Sequence, residues 1–316
     1  MKKQTTRLMI VFALVWSLMC SVRAADRMLI PGGYTVGIQM ETGGPVITGF
    51  EKNSPAKTAG LRRGDVITAV DGVDIHTISQ LRECVGKRQL IITVLRNGKS
   101  GQFCVKPEEE RLGIYVRDCI AGIGTVTFYD PETGSFGALG HGVNDRDTMQ
   151  LLQSAGGMVV RSEIKDVEKG TRGTPGELRG SFDMRQVLGS VKQNTEQGIF
   201  GTLKIEPAGK ALPVGNADDV QKGSAVILAN VRGTETETFD VEIMEIHRQK
   251  DAGSRNLLLK VTDPELLGIT GGIVQGMSGS PVIQNGRIVG AVTHVLVNDP
   301  TKGYGIFIEN MLEVAG

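Results

Sequence analysis

Residues 276–281, Gly276-Met277-Ser278-Gly279-Ser280-Pro281, run directly into Val282-Ile283-Gln284, Asn285-Gly286 and Arg287-Ile288-Val289. Two β-branched runs about an Asn-Gly pair predict a tight antiparallel hairpin, because both turn positions call for positive φ. Working outward, short apolar runs at 124–129, 224–229, 241–246, 257–261 and 290–297 also read as strands. Glycine, 43 of 316 residues, supplies the turns between them. Many short strands with Gly, Asn and Asp turns predict a mainly β barrel or sandwich over 111–316. One exception is expected: 181–191 reads as a helix with Phe182, Val187 and Val191 inward.

The rest of the composition narrows the function class. Hydrophobic residues at 40% and charged residues at 22% fit neither a disordered chain nor a polytopic membrane protein. Lys+Arg and Asp+Glu both number 35, so no bulk charge favours a nucleic-acid partner. Lys2, Lys3 and Arg7 precede an uncharged apolar run over 8–22, followed by Val22-Arg23-Ala24. This is the pattern of an export signal over 1–24, cleaved after Ala24 or retained as an N-terminal membrane anchor. Cleavage would remove four cationic residues and leave a formal charge of −4. Of the four cysteines, Cys84, Cys104 and Cys119 would remain, without CxxC spacing, so at most one disulfide and no structural zinc site are expected. No cofactor is expected either. Gly122-Ile123-Gly124 has Thr127 where a dinucleotide fingerprint needs its third glycine.

A separate compact unit reads over 32–107. Ser54-Pro55-Ala56 opens a short helix that Gly60 closes, Asp71-Gly72 is a hairpin turn, and Thr77-Ile78-Ser79-Gln80 has the form of a capping box. The run from Ser54 through Ala59-Gly60-Leu61-Arg62-Arg63-Gly64-Asp65-Val66-Ile67 resembles the signature of bacterial PDZ domains, which are α+β. Such domains take a peptide C-terminus as an added strand and hold its carboxylate on backbone amides. Thr35, Val36, Gly37 and Ile38 are the expected carboxylate loop, with Gly37 allowing close approach.

The chemistry is concentrated at Ser278. A serine nucleophile creates an oxyanion that needs two donors already aimed at it. A glycine two residues earlier lets the chain turn so that the Gly276 and Ser278 N–H groups face one point. Of four histidines, His76 belongs to the PDZ-like unit, His247 to a strand face, and His294 to the strand after the nucleophile loop. His141, between Gly140 and Gly142, is the best candidate for the base. A metal set of His141, Asp145 and Asp147 lacks a second histidine or cysteine, so no metal is expected.

Gly140-His141-Gly142 and Gly276-Met277-Ser278-Gly279-Ser280-Pro281 together resemble the sporulation stage IV protein B (SpoIVB) peptidases. Thr127-Phe128-Tyr129-Asp130-Pro131, Thr262-Asp263-Pro264-Glu265-Leu266-Leu267 and Val292-Thr293-His294-Val295 extend the match over nearly the whole exported chain. The resemblance implies a chymotrypsin-like double β-barrel over 111–316. It implies a serine endopeptidase with Ser278 as nucleophile, His141 as base and Asp263 as the acid, with Asp183 and Asp145 as alternatives. It further implies an exported, self-processing enzyme of the forespore–mother cell intermembrane space. There it would cut a membrane-associated regulatory protein and so activate a membrane metalloprotease and a late sigma factor. The alternative is a PDZ-based scaffold that no longer cleaves.

Overall fold

The computed structural model describes residues 27–145, 151–152, 156–249, 253 and 255–315. The export segment therefore lies outside the described residues. Strand β1 (Met28–Pro31) leads into β2 (Thr35–Phe50), whose 16 residues serve two units in turn. Residues 35–41 of β2 pair with 119–125 of β7 (Ile114–Tyr129), and 36–41 pair with 156–161 of β9 (Gly156–Glu168). Residues 46–50 of β2 pair with 114–117 of the same β7, and Val46 pairs with Val66. Between the halves the register slips, and Thr42 Oγ1 donates to the Gly44 carbonyl at 2.7 Å.

What lies between Val46 and Arg117 is the PDZ unit. It holds α1 (Pro55–Thr58), β3 (Val66–Val70), β4 (Val73–Asp74), α2 (Ile78–Cys84), β5 (Leu90–Arg96) and β6 (Lys99–Val105). Local chemistry explains its elements. Ser54 Oγ caps α1 by accepting the Lys57 N–H, and Thr77 and Gln80 form the expected reciprocal capping box. Asp71 and Gly72 both take positive φ in the β3–β4 turn. Ile47, Leu61, Ile67, Leu81, Ile92 and Val105 close a core of its own.

The PDZ unit is thus an insertion, carried on two strands, within the first barrel of a larger domain. This differs from the boundaries of 32–107 and 111–316 read from sequence. Pattern reading ends a strand at a domain edge, whereas β2 and β7 each run through it.

That first barrel closes through six strands. β7 pairs with β8 (Ser135–Ala138), β8 with β11 (Gly198–Leu203), β11 with β10 (Glu177–Thr195), β10 with β9, β9 with β2 and β2 with β7. The expected helix at 181–191 is part of β10. Val187 and Val191 are four apart, a spacing that a period of two satisfies as well as a helix does, and pairing to β9 and β11 decides it. After β12 (Leu212–Pro213), which pairs with β1, a second closed barrel follows in the order β13 (Gly223–Arg232), β14 (Glu235–Ile246), β15 (Leu257–Val261), β18 (Lys302–Phe307), β17 (Arg287–Val295) and β16 (Pro281–Gln284). Helix α3 (Pro264–Thr270) follows β15, and α4 (Ile308–Ala315) ends the described chain. At the β16–β17 turn Asn285 and Gly286 both have positive φ, as the pair predicts.

The two barrels share buried contacts. Ile164 of β9 and Leu178 of β10 sit in the second barrel's core. Ser162 Oγ donates to Thr35 Oγ1 (3.0 Å), Thr35 Oγ1 donates to Asn230 Oδ1 (2.7 Å), and Asn230 Nδ2 donates to the Arg232 carbonyl (3.0 Å). Each of those buried groups has a partner, so the chain across the interface carries no desolvation penalty of an orphan.

Candidate active site

The loop over 275–280, which carries Ser278, is held from both barrels. In the second barrel, the Gly279 N–H donates to the Val292 carbonyl (2.7 Å) and the Val292 N–H donates to the Ser280 carbonyl (2.9 Å). In the first, Thr125 Oγ1 donates to the Gly276 carbonyl (2.7 Å) and the Thr125 N–H to the Ser278 carbonyl (3.1 Å). Gly279 permits this approach: it has φ +99°, and a Cβ there would lie 2.0 Å from the Thr125 carbonyl oxygen.

Two further bonds orient the donors. The Leu178 N–H donates to the Gln275 carbonyl (2.8 Å), and the Ser280 N–H donates to the Met277 carbonyl (2.9 Å). A trans peptide is planar, so each pinned carbonyl sends the N–H of the next residue the opposite way. Those next residues are Gly276 and Ser278, and neither N–H has an acceptor among the described residues. An oxyanion requires two such donors.

His141 reaches the same cleft from the β8 end. Leu139 (φ +69°) and Gly140 (φ +68°) turn the chain sharply, and the Gly140 N–H donates back to the Ala138 carbonyl at 2.9 Å. A buried leucine in the left-handed region is costly, of the order of 1–3 kcal/mol, and such strain persists where surrounding packing enforces it. Here the turn sets Gly140 against Thr293, whose Cγ2 would be 3.0 Å from an added Cβ. His141, Ser278, Thr293 and His294 line one cleft of about 440 Å³ with Gly276. The rings of His141 and His294 lie 4.6 Å apart, tilted by 34°.

The electrostatics favour a neutral imidazole. Burial holds His141 below the ordinary histidine value, opposed only by its bond to Gly142. Partial burial, His141 and Arg255 hold His294 down at about 4. His141 Nδ1 sits 2.9 Å from the Gly142 carbonyl oxygen. A carbonyl can only accept, so Nδ1 carries the proton and Nε2 keeps its lone pair for use as a base. Ser278 Oγ donates to the Thr293 carbonyl at 2.6 Å.

Comparison with known families decides the identity. The model of the SpoIVB peptidase S55 family matches residues 108–312, and a PDZ domain model matches 46–96. The chain belongs to the SpoIVB peptidase S55 family. It carries a PDZ domain beside its S55 peptidase domain, and it spans only a small part of the curated relative it matches. A probable periplasmic serine endoprotease DegP-like of Chlamydia muridarum (strain MoPn / Nigg) is 38% identical over 60 residues, 18% of this chain and 12% of that protein's length. The Rv3671c protease in its inactive form aligns with TM-score 0.37 and 15% identity over 61% of this chain and 84% of that one. The active form from M. tuberculosis gives TM-score 0.36 and 16% identity over 62% and 75%.

In this S55 chain the structure does not bond the expected acid, Asp263, to His141. Asp263 Oδ1 accepts from the N–H groups of Glu265 and Leu266, both at 2.9 Å, and Oδ2 from Asp240 N–H at 3.4 Å. It is the N-cap of α3, with Pro264 at the first helical position. Asp183 is tied to Arg185 on an exposed strand, and Asp145 to Arg117. Asp147, of the alternative metal set, lies outside the described residues. Among the described residues no carboxylate is bonded to His141; the Gly142 carbonyl fixes its tautomer. Asn is as good an N-cap as Asp, so Asp263→Asn is expected to keep turnover within about threefold and Asp263→Ala to lose about 1 kcal/mol of stability. Steady-state kinetics with a thermal melt checks both; a loss near 10⁴-fold in the Asn variant, as for a triad acid, would return the role to Asp263.

The S55 family's PDZ unit also departs from the sequence reading. Thr35, Val36, Gly37 and Ile38 lie in β2; all four pair with β7, the last three also with β9, and Val36 is fully buried. They cannot present free amides. Sequence reasoning missed Leu112-Gly113-Ile114, a glycine between apolar residues ahead of a β run. The Leu112 carbonyl accepts from Ser54 Oγ (3.0 Å) and the Ala56 N–H (3.2 Å), and the Gly113 carbonyl from the Glu51 N–H (2.9 Å). By the same planarity, the Gly113 and Ile114 N–H groups face away from β2. Asp118, further along β7, accepts from the Ile78 N–H that starts α2.

Proposed function

We propose that this chain is an exported, self-processing serine endopeptidase, with Ser278 as nucleophile, His141 as general base and the N–H groups of Gly276 and Ser278 as the oxyanion site. The observation that carries the reading is one cleft lined by His141 and Ser278 beside two amides aimed by pinned carbonyls. A substrate strand laid along 293–295 of β17 brings an N–H to the Thr293 carbonyl. That N–H displaces the Ser278 hydroxyl, which turns to His141 Nε2. The imidazole takes the proton as Oγ attacks the carbonyl, then delivers it to the leaving amine. Extended substrates are favoured because only they supply the displacing N–H.

The PDZ unit receives a peptide C-terminus, its carboxylate on the Gly113 and Ile114 amides and its strand beside β7 and α2. Residues 8–22 carry the enzyme across the cytoplasmic membrane and can hold it there. In the forespore–mother cell intermembrane space, its target is a membrane-associated regulatory protein whose cleavage signals metalloprotease and late sigma factor activation. The motif resemblance supports this setting. Self-processing is tested by following the intact mass of the chain from residue 25, with and without prior fluorophosphonate treatment. Trimming in the untreated sample alone is expected. A fluorophosphonate that leaves Ser278 unlabelled, with no trimming in either sample, would sink the reading.

A further inference from the structure

We infer that Thr125 is a positioning residue for the oxyanion site. Its three polar groups each hold a different part of the active site. Oγ1 donates to the Gly276 carbonyl, the N–H donates to the Ser278 carbonyl, and the carbonyl accepts from the Leu139 N–H (3.2 Å) at the turn that presents His141. Thr125 is 1% exposed, so its own end of these bonds is shielded from water, while Gly276 and Ser278 are half-buried. The hydroxyl bond is the one a side chain controls. Together with the Met277 N–H bond to the Val274 carbonyl, it fixes the plane of the 276–277 peptide, next to the plane that aims the Gly276 N–H.

Without that donor, the half-buried Gly276 carbonyl loses its protein partner, a cost of about 1 kcal/mol. Rotation of the 276–277 peptide relieves it at the expense of the Met277 N–H bond to the Val274 carbonyl (3.1 Å), and Gly276 at φ +99° lacks the side chain that would resist the turn. Rotation swings the carbonyl toward the cleft and disturbs the donor pair, replacing attraction for an oxyanion by repulsion. The Thr125 hydroxyl is the lock against that rotation. The cost falls on the transition state and spares ground-state substrate, which is held by β17.

This rests on Ser278 as the nucleophile, and the experiment separates the two. Thr125→Val keeps the branched shape and removes the donor; Thr125→Ser keeps the donor. For the Val variant kcat is expected to fall about 10²-fold with KM within about threefold, and affinity for a peptide boronate to fall in step with kcat. The Ser variant is expected to restore all three. If the Val variant does not fold by circular dichroism, Thr125→Ala against Thr125→Ser carries the same comparison. Undiminished kcat, an equal loss of ground-state and boronate binding, or no rescue by Ser overturns the role of Thr125. Absence of fluorophosphonate labelling at Ser278 in the unmutated enzyme overturns the nucleophile instead.

Discussion

Replacing Ser278 by alanine is expected to lower peptide turnover by about 10⁴-fold or more while leaving the fold intact. The side chain makes one hydrogen bond, to the Thr293 carbonyl, so little structure depends on it. The substitution leaves the backbone N–H groups of positions 276 and 278 in place, and these alone sustain only the small residual rate that binding and oxyanion donors give. Turnover of a chromogenic peptide, a thermal melt and fluorophosphonate labelling followed by intact mass check the three parts together. A variant that folds normally and keeps more than about 1% of turnover would place the nucleophile elsewhere.

Gly279→Ala is expected to be the more disruptive change although it adds one methyl group. The new Cβ would stand 2.0 Å from the Thr125 carbonyl oxygen and 2.6 Å from the Leu139 nitrogen, both backbone atoms, at a φ of +99°. No flexible side chain can yield, so either the nucleophile loop leaves β7 or β7 leaves the histidine turn. Stability is expected to drop by about 3 kcal/mol or more, with turnover falling at least as steeply as in the Thr125 variants. Gly72→Ala is the matched control, since it has positive φ with nothing within 4 Å of the added atom. Its cost should stay near 1 kcal/mol, the conformational term alone. Denaturant melts of the two variants decide the matter: equal losses would mean that the contact with β7 yields easily.

The sequence made some of this plain because the signals were local. Asn285-Gly286, Asp71-Gly72 and the Thr77–Gln80 box each determine a few residues by their own chemistry, and all three form as read. Ser278 and His141 stood out because glycines beside a reactive side chain have a physical purpose. Other features depended on pairing between distant segments. Val187 and Val191 fit two periods, and the choice was made by β9 and β11. Asp263 lies near Ser278 in the chain, but Asp-Pro-Glu is itself a helix start and spends the carboxylate there. Thr125 was invisible for a similar reason: its two partners in the Ser278 loop are 151 and 153 positions away. Tyr34-Thr35-Val36-Gly37-Ile38 has the composition of a glycine-containing loop and the environment of a central strand.

The two-strand attachment of the PDZ unit also determines how the polypeptide can fold. Glu41 and Cys119 face each other across β2 and β7, yet the whole PDZ segment separates them along the chain. Were that segment still unfolded, closing the first barrel would mean joining the ends of a loop of roughly eighty residues. Once it has folded, Val46 and Arg117 are already neighbours and the remaining gap is a few residues on each side. Loop-closure entropy changes by about 0.6 kcal/mol per doubling, so the ordered insert lowers the barrier by roughly 2 kcal/mol. The inserted unit emerges from the ribosome before most of the barrel it interrupts. On that argument folding is expected to proceed outward from it, with β2 and β7 zipping toward Thr125.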